Sequence, residues 1–388
     1  MTQIIVLVSR LRVGMGGVAS YFRCLEGYLC SRARYVSIGG ERTARGIVQR
    51  LKLLIGDYRR LRSELQGSDL QLVHLNPSMV WKAFFREAVH LSAARAEGKK
   101  VVVFWHGWDW VFAQGIQTGV RRLIFNRTYA HADCHIVLAE RFRTHLLALG
   151  CRGPVVLEST VVADDTWGVP LRLPPRTGEP VRLLLLSRIV REKGVYVAID
   201  AIAALRRAGH PVQLTIAGDG PERVPAEQYV AKHKLEGISF VGYVRGEQKQ
   251  RLLAESDIYL FPSNHGEGMP LSVLEAMAAG LPVLGTRAGG LDDFFEDGVM
   301  GFSVDDPSAE VFVTLVEKLL SNPESIVQIG EHNRGYARKY FPAEVVAHRL
   351  FAIYDSVIEG AAANRAPVDW MKAIYATPGV EPCTAQNI

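Results

Sequence analysis

The chain has 388 residues, 48% of them hydrophobic and 22% charged, which is ordinary globular composition and length enough for two domains rather than one. Five cysteines show no metal-ligand or redox spacing, the opening apolar run is too short for a signal-peptide core, and no stretch approaches 18 uninterrupted apolar residues. These features argue against a disulfide scaffold and a bilayer span, and for reduced cysteines and a cytoplasmic location. The net charge of +5 is unevenly spread: residues 1–170 hold 23 Lys/Arg against 13 Asp/Glu, and residues 171–388 hold 22 against 27. A basic first half expects an anionic partner, and without a nucleic-acid motif a membrane surface or an acidic acceptor fits better than nucleic acid.

Along the chain, short β-branched runs alternate with helix-length segments. The first series of runs falls at 4–8, 70–75, 101–105, 135–138 and 155–157, the second at 181–186, 212–217, 238–241, 258–261 and 282–285. Continuous apolar runs bounded by turn signals predict strands of parallel sheets covered on both faces. The proline-rich stretch 171–180 (LRLPPRTGEP) breaks the series and reads as a linker. Two doubly wound α/β domains follow, at 1–170 and 181–342. At 343–360 a helix carries Val346, Leu350, Ile353, Tyr354 and Val357 on one stripe, and a polar tail, 361–388, comes last.

In the first half, Gly16 and Gly17 follow the first strand and precede a helix bearing Tyr21, Phe22 and Leu25. Glycine lets backbone amides approach a phosphate, and the helix start adds its dipole; a plain turn would need one glycine. Residues 42–62 mix seven basic side chains with leucines and isoleucine, as expected either of a helix lying on an anionic membrane or of a solvated helix face. Asn76 follows the 70–75 strand. His106 stands just past the 101–105 strand, followed by Gly107, Trp108 and Asp109. Trp105, Trp108 and Trp110 are suited to stacking on sugar faces or to filling core.

In the second half, the densest signal is the run Pro262–Pro282, PSNHGEGMPLSVLEAMAAGLP. It predicts a strand end, a glycine-bearing loop, a helix entered at Pro270 and closed at Gly280, and hence an anion site at the helix N-terminus. Glu267 in the loop and Glu275 in the helix bracket it. Apolar and small residues around Glu275 imply close packing, so its carboxylate needs a partner; two ribose hydroxyls would serve. Arg188 and Lys193, in the loop after the 181–186 strand, can set two cations on a diphosphate. Gly218 opens the turn Gly218-Asp219-Gly220-Pro221, which completes no dinucleotide fingerprint.

Together these motifs resemble the retaining GT-B glycosyltransferases of family 4, also called glycosyl transferases group 1. The resemblance runs from about Val181 to Tyr354. It includes Glu267-x7-Glu275, the Ser187-Arg…Glu-Lys193-Gly loop, the Gly-Asp-Gly-Pro turn, Phe240-Val-Gly242-Tyr, Gly280-Leu-Pro-Val-Leu, Ala288-Gly-Gly-Leu-Asp-Asp293 and Asp297-Gly-Val-Met-Gly301. It implies the GT-B fold, two Rossmann-like domains facing a cleft with the last helix packing back toward the first. It also implies transfer of a sugar, with retention, from a nucleoside-diphosphate sugar to a saccharide or lipid-linked acceptor, as in bacterial surface-polysaccharide assembly. By the same resemblance Arg188 and Lys193 bind the diphosphate together with Gly16, Gly17 and Gly218, and Glu275 binds the ribose. Val244 lies beside the base. Glu267 contacts the donor sugar near the reacting carbon, with Gly268, Met269, Pro270 and Leu271 helping. His106 contacts the transferred sugar, and Asn76, Trp108 and Asp109 line the acceptor side.

The chain has no Asp-x-Asp triplet, and its adjacent aspartate pairs do not form a set, so the diphosphate charge is expected to be met by Arg188, Lys193 and backbone dipoles, without metal or other cofactor. An epimerase or phosphorylase on the same fold and a non-catalytic nucleotide-sugar-binding protein are the competing readings. A peripheral position on the inner face of the cytoplasmic membrane goes with a lipid-linked acceptor.

Overall fold

The computed structural model describes residues 4–8, 17–37, 47–66, 69–171, 178–264, 266 and 268–360. Gly16, Glu267, residues 42–46 of the basic segment, most of the expected linker and the tail from 361 lie outside them. The chain divides into two compact units. One comprises the chain up to Ser159 and again from Glu344, the other Thr160–Ala343.

The first unit contains β1 (Ile4–Val8), α1 (Gly17–Leu29), β2 (Ala33–Ser37), α2 (Ile47–Leu65), β3 (Leu72–Leu75), β4 (Ser78–Met79), α3 (Trp81–Ala96), β5 (Lys100–Trp105), β6 (Gly107–Trp108), α4 (Trp110–Gln114), α5 (Gly119–Arg127), β7 (Cys134–Val137), α6 (Glu140–Ala148) and β8 (Val155–Leu157). Six strands form one parallel sheet in the order β2-β1-β3-β5-β7-β8, and β4 pairs with β6 in a small ribbon. β3 and β7 are buried along their whole length and β5 from Val101 onward, as strands covered on both faces must be.

The second unit runs β9 (Val181–Leu186), α7 (Val195–Arg207), β10 (Val212–Ala217), α8 (Arg223–Lys232), β11 (Ile238–Gly242), α9 (Glu247–Glu255), β12 (Ile258–Phe261), α10 (Leu271–Ala278), β13 (Val283–Thr286), β14 (Gly301–Val304), α11 (Ala309–Leu320) and α12 (Pro323–Tyr340). Its parallel sheet has the order β11-β10-β9-β12-β13-β14. Leu183, Leu185, Ile199, Ile202, Leu214 and Ile258 are among the side chains that build its core.

α13 (Ala343–Ile358) returns the chain to the first unit. Its five stripe residues are all buried, each contributing about 1.5–3 kcal/mol relative to exposure. Arg349 on this helix donates to Glu158 at 2.6–3.1 Å and to the Ser159 hydroxyl at 2.7 Å, and Asp355 pairs with Arg32.

The unit boundary at Ser159/Thr160 lies eleven residues ahead of the expected linker. Local hydrogen bonds explain the difference. The Thr160 hydroxyl donates to the Met269 carbonyl, Val162 N donates to Phe341 O at 2.9 Å, and Arg334 donates to Trp167 O, so residues 160–169 are bonded into the second unit. Besides the two-residue β4 and β6, the sequence pattern does not mark two strands of the large sheets, β2 and β14. Both are sheet edges with partly exposed side chains, so neither shows a continuous apolar run. Among the described residues no helix is long and apolar enough to cross a membrane.

Candidate active site

In a doubly wound sheet, ligands bind beyond the carboxyl ends of the strands where the order reverses. In the second unit that point lies between β9 and β12. The loop after β9 carries Arg188 and Lys193; the loop after β12 leads into α10. The two loops are held together by their backbones. Asn264 N donates to Glu192 O at 2.8 Å, and Gly194 lies at φ +74° where a Cβ would stand 1.9 Å from the Pro262 carbonyl oxygen. Only glycine fits there. The Gly218–Pro221 turn braces the same loop from the other side. Gly218, at φ +143°, leaves no room for a Cβ against Ser187 O, and Ile189 N donates to Asp219 O at 3.0 Å. Gly218 therefore shapes the cation-bearing loop through its own backbone.

Arg188 is exposed and Lys193 half-buried. Burial, with the Arg188 guanidinium beside it, brings the Lys193 ammonium down to about 8. Its Nζ lies 6.0 Å from the centroid of the Phe261 ring, at the end of β12. An anion placed beside this ammonium would favour its charged form. α10 begins after Pro270, and its first intrahelical bonds come from Val273 and Leu274 to Pro270 O, so the amides of Leu271 and Ser272 precede them. Gly290 N donates to Gly268 O at 2.6 Å, tying the β13 loop to the β12 loop. Met269 and Val244 are both 5% exposed.

Glu275, one turn into α10, has a partner that the sequence reading did not name. Lys249 on α9 donates to its Oε1 at 2.6 Å, with side-chain exposures of 17% and 12%. Beneath it Tyr259 donates its hydroxyl to Leu186 O at 3.0 Å; burial and the Glu275 charge push that phenol above its ordinary range. Lys249 sits in a charged helix, Glu247–Glu255, where no local pattern separates it from solvated neighbours.

In the first unit the order reverses between β1 and β3. Gly17 heads α1 there, exposed, with nothing within 4 Å of where its Cβ would be. Asn76 follows β3, and His106 follows β5 next door. Asn76 is 9% exposed and both ends of its amide are bonded internally: Nδ2 donates to Leu7 O at 2.9 Å, while Oδ1 lies 3.1 Å from His74 Nε2 and 2.9 Å from His106 Nε2. His106 is half-buried, stacked on Phe104 at 3.9 Å between ring centroids and edge-on to Tyr21. Burial, and His74 nearby, push its imidazolium well below the ordinary range.

The remaining acceptor-side candidates, Trp108 and Asp109, both make contacts within the first unit. Trp108 is 3% exposed, and its ring lies parallel to Phe142 at 4.3 Å, so that face is occupied by core rather than open to a sugar. Asp109 caps α4, accepting from Phe112 N at 2.9 Å. The sequence reading missed His74 and Tyr354, which sit inside apolar runs; a lone histidine in the buried strand LVHL was the one available signal.

Two α/β units, each with a six-stranded parallel sheet that reverses order at its first strand, make up the GT-B fold. Residues 174–336 match the family model described as glycosyl transferases group 1, so the chain carries that domain. The chain is 26% identical over 295 residues to the amylovoran biosynthesis glycosyltransferase AmsK of Erwinia amylovora, covering 74% of this chain and 70% of AmsK. It is 25% identical over 249 residues to the putative colanic acid biosynthesis glycosyltransferase WcaL of Salmonella typhimurium, covering 63% of this chain and 59% of WcaL. Among solved structures, Anabaena HepE in complex with UDP-glucose superposes with a TM-score of 0.68 at 17% identity, covering 92% of this chain and all of HepE.

Proposed function

We propose that the chain is a retaining, metal-independent family 4 glycosyltransferase that moves a sugar from a nucleoside-diphosphate sugar to a saccharide or lipid-linked saccharide in bacterial cell-surface polysaccharide assembly. The observation that carries this reading is the pairing of Arg188 with a half-buried Lys193 at the β9/β12 reversal, beside the N-terminus of α10. Two cations and free amides offset the charge that builds on a departing diphosphate, without a bound ion. Glu275, paired with Lys249, accepts from the ribose hydroxyls, and His106 and Glu267 meet the transferred sugar. The biosynthetic roles in the names of AmsK and WcaL, and the UDP-glucose in HepE, support the donor class and the pathway class.

A cytoplasmic protein resting on the inner face of the membrane suits a lipid-linked acceptor. In support, Lys52, Arg59, Arg60 and Arg62 of α2 are exposed while Leu61 and Leu65 are buried. The test of the reading is a thermal-shift panel of UDP, GDP, ADP, CMP and dTDP with the native chain and Glu275→Ala. At a hundred times its dissociation constant one nucleotide should stabilise the native chain by about 2.7 kcal/mol, and the variant by much less. Stabilisation by none of them, with nucleotide sugars equally inert, would sink the donor assignment.

A further inference from the structure

The hydrogen bonds around His106 settle which of its nitrogens carries the proton. The Leu7 carbonyl can only accept, so the amide nitrogen of Asn76 faces it and Oδ1 faces the two imidazoles. An amide oxygen can only accept as well. His74 and His106 must therefore both present N–H at Nε2. Burial brings His74 down to about 3, so its Nδ1 is bare and accepts from the Tyr354 hydroxyl at 2.7 Å. By the same logic His106 is neutral with a bare Nδ1. No described residue donates to that atom, and the ring is half-exposed. His135 shows the contrasting case, a core histidine with both nitrogens satisfied, Nδ1 by Trp105 and Nε2 by Tyr129 O.

We propose that Asn76, braced by His74 and Tyr354, is the positioning residue that fixes His106 in the Nε2–H tautomer, so that His106 meets its ligand as a hydrogen-bond acceptor and takes a hydroxyl of the transferred sugar. The last step rests on the glycosyltransferase reading; the tautomer does not. An acceptor imidazole excludes a ligand oxygen lacking a proton, so the sugar position facing His106 carries a free hydroxyl. It also makes that contact indifferent to pH over the ordinary range. The polar and titratable groups packed near the ring are Asn76, His74 and Tyr21, with the Glu158–Arg349 pair acting on Tyr21 beyond.

The test is imidazole nitrogen NMR on the full chain labelled at histidine, with His106→Gln assigning the signal. The expected result is a protonated Nε2 and a bare Nδ1 for His106, unchanged from pH 5.5 to 8.5. In Asn76→Asp, nearly the same shape but anionic, His106 should take up a second proton within that range. In Asn76→Leu the two tautomers should mix, and turnover should fall about ten- to a hundredfold with nucleoside-diphosphate affinity within twofold of native. Tyr354→Phe should keep the native tautomer. A proton on His106 Nδ1 in the native chain, or a titration unmoved in Asn76→Asp, overturns the proposal. If no nucleotide sugar turns over, the glycosyltransferase reading fails while the NMR result still decides the tautomer.

Discussion

The two units present opposite chemistry at equivalent places. At the reversal of the second sheet stand two cations, a paired carboxylate and a helix N-terminus. At the reversal of the first stand neutral groups, an amide and two imidazoles that burial holds uncharged. The sheets differ as well, since β9 has two strands on one side and three on the other, whereas β1 has one and four. A charged ligand group and a neutral, hydroxyl-rich one would be sorted by this difference. On the proposed function the second unit would supply Coulomb attraction to a diphosphate, and the first would supply directional hydrogen bonds, whose worth depends on one proton being in the right place.

The largest expected effect tests the charged side. Arg188→Ala and Lys193→Ala should each lower kcat/KM with the preferred nucleotide sugar by about a hundred- to a thousandfold, whereas Lys232→Ala, at the end of α8, should change it little. Equal effects at all three would remove the distinction between the units. Next comes the carboxylate. Glu275→Ala and Lys249→Met should each weaken nucleoside-diphosphate binding by about ten- to a hundredfold, read by calorimetry. Lys249→Met should also cost about 3 kcal/mol of stability in urea unfolding, because it leaves Glu275 largely desolvated without its cation. Full affinity in Lys249→Met would make the pair a structural tie and no more.

These same residues show what was readable in the sequence. Arg188, Lys193, Gly218 and Glu275 sit in short loops and one helix turn, each within a short sequence motif, so the pattern survives in a linear reading. Gly194 is a clear instance, since the close approach of Pro262 forces glycine and glycine marks the loop. The first unit gives a weaker local trace, the places of Asn76 and His106 just past strand ends. Its network joins β1, β3, β5 and α13, and Tyr354 lies 280 positions from His74. Nothing in the neighbourhood of His74, Asn76, His106 or Tyr354 announces the other three. Edge strands β2 and β14 were lost for the same reason, because their identity comes from a neighbouring strand and not from their own apolar pattern.

A smaller effect follows from Lys193 and has a defined sign. Its pKa in the folded chain is about 8, lowered from 10.5 by burial and by Arg188. Between those two values the unfolded chain holds a proton that the folded chain has released, so this group makes the free protein more stable as pH rises from about 8 toward 10.5. Diphosphate binding favours the charged form, so affinity should fall over the same window, by up to about tenfold per pH unit. Calorimetry at pH 8.5 in buffers of different ionisation enthalpy should show proton uptake on binding. In Lys193→Met both trends should flatten, and an unchanged profile would assign the titration elsewhere.

Trp108 gives the smallest effect on catalysis and the sharpest check on the neutral side. Its exposure of 3% and its parallel packing on Phe142 leave no ring face for a sugar, while Trp110 and His145 close two further edges. Trp108→Phe removes part of a buried indole and leaves a small void, so it should cost about 1–3 kcal/mol in thermal or urea unfolding. The acceptor KM should stay within twofold of native, measured below the variant's unfolding range. A tenfold rise in KM with stability intact would mean that the ring leaves Phe142 to meet the acceptor. In that case the first unit would bind sugar by aromatic stacking as well as by hydrogen bonds, and the contrast with the second unit would rest on charge alone.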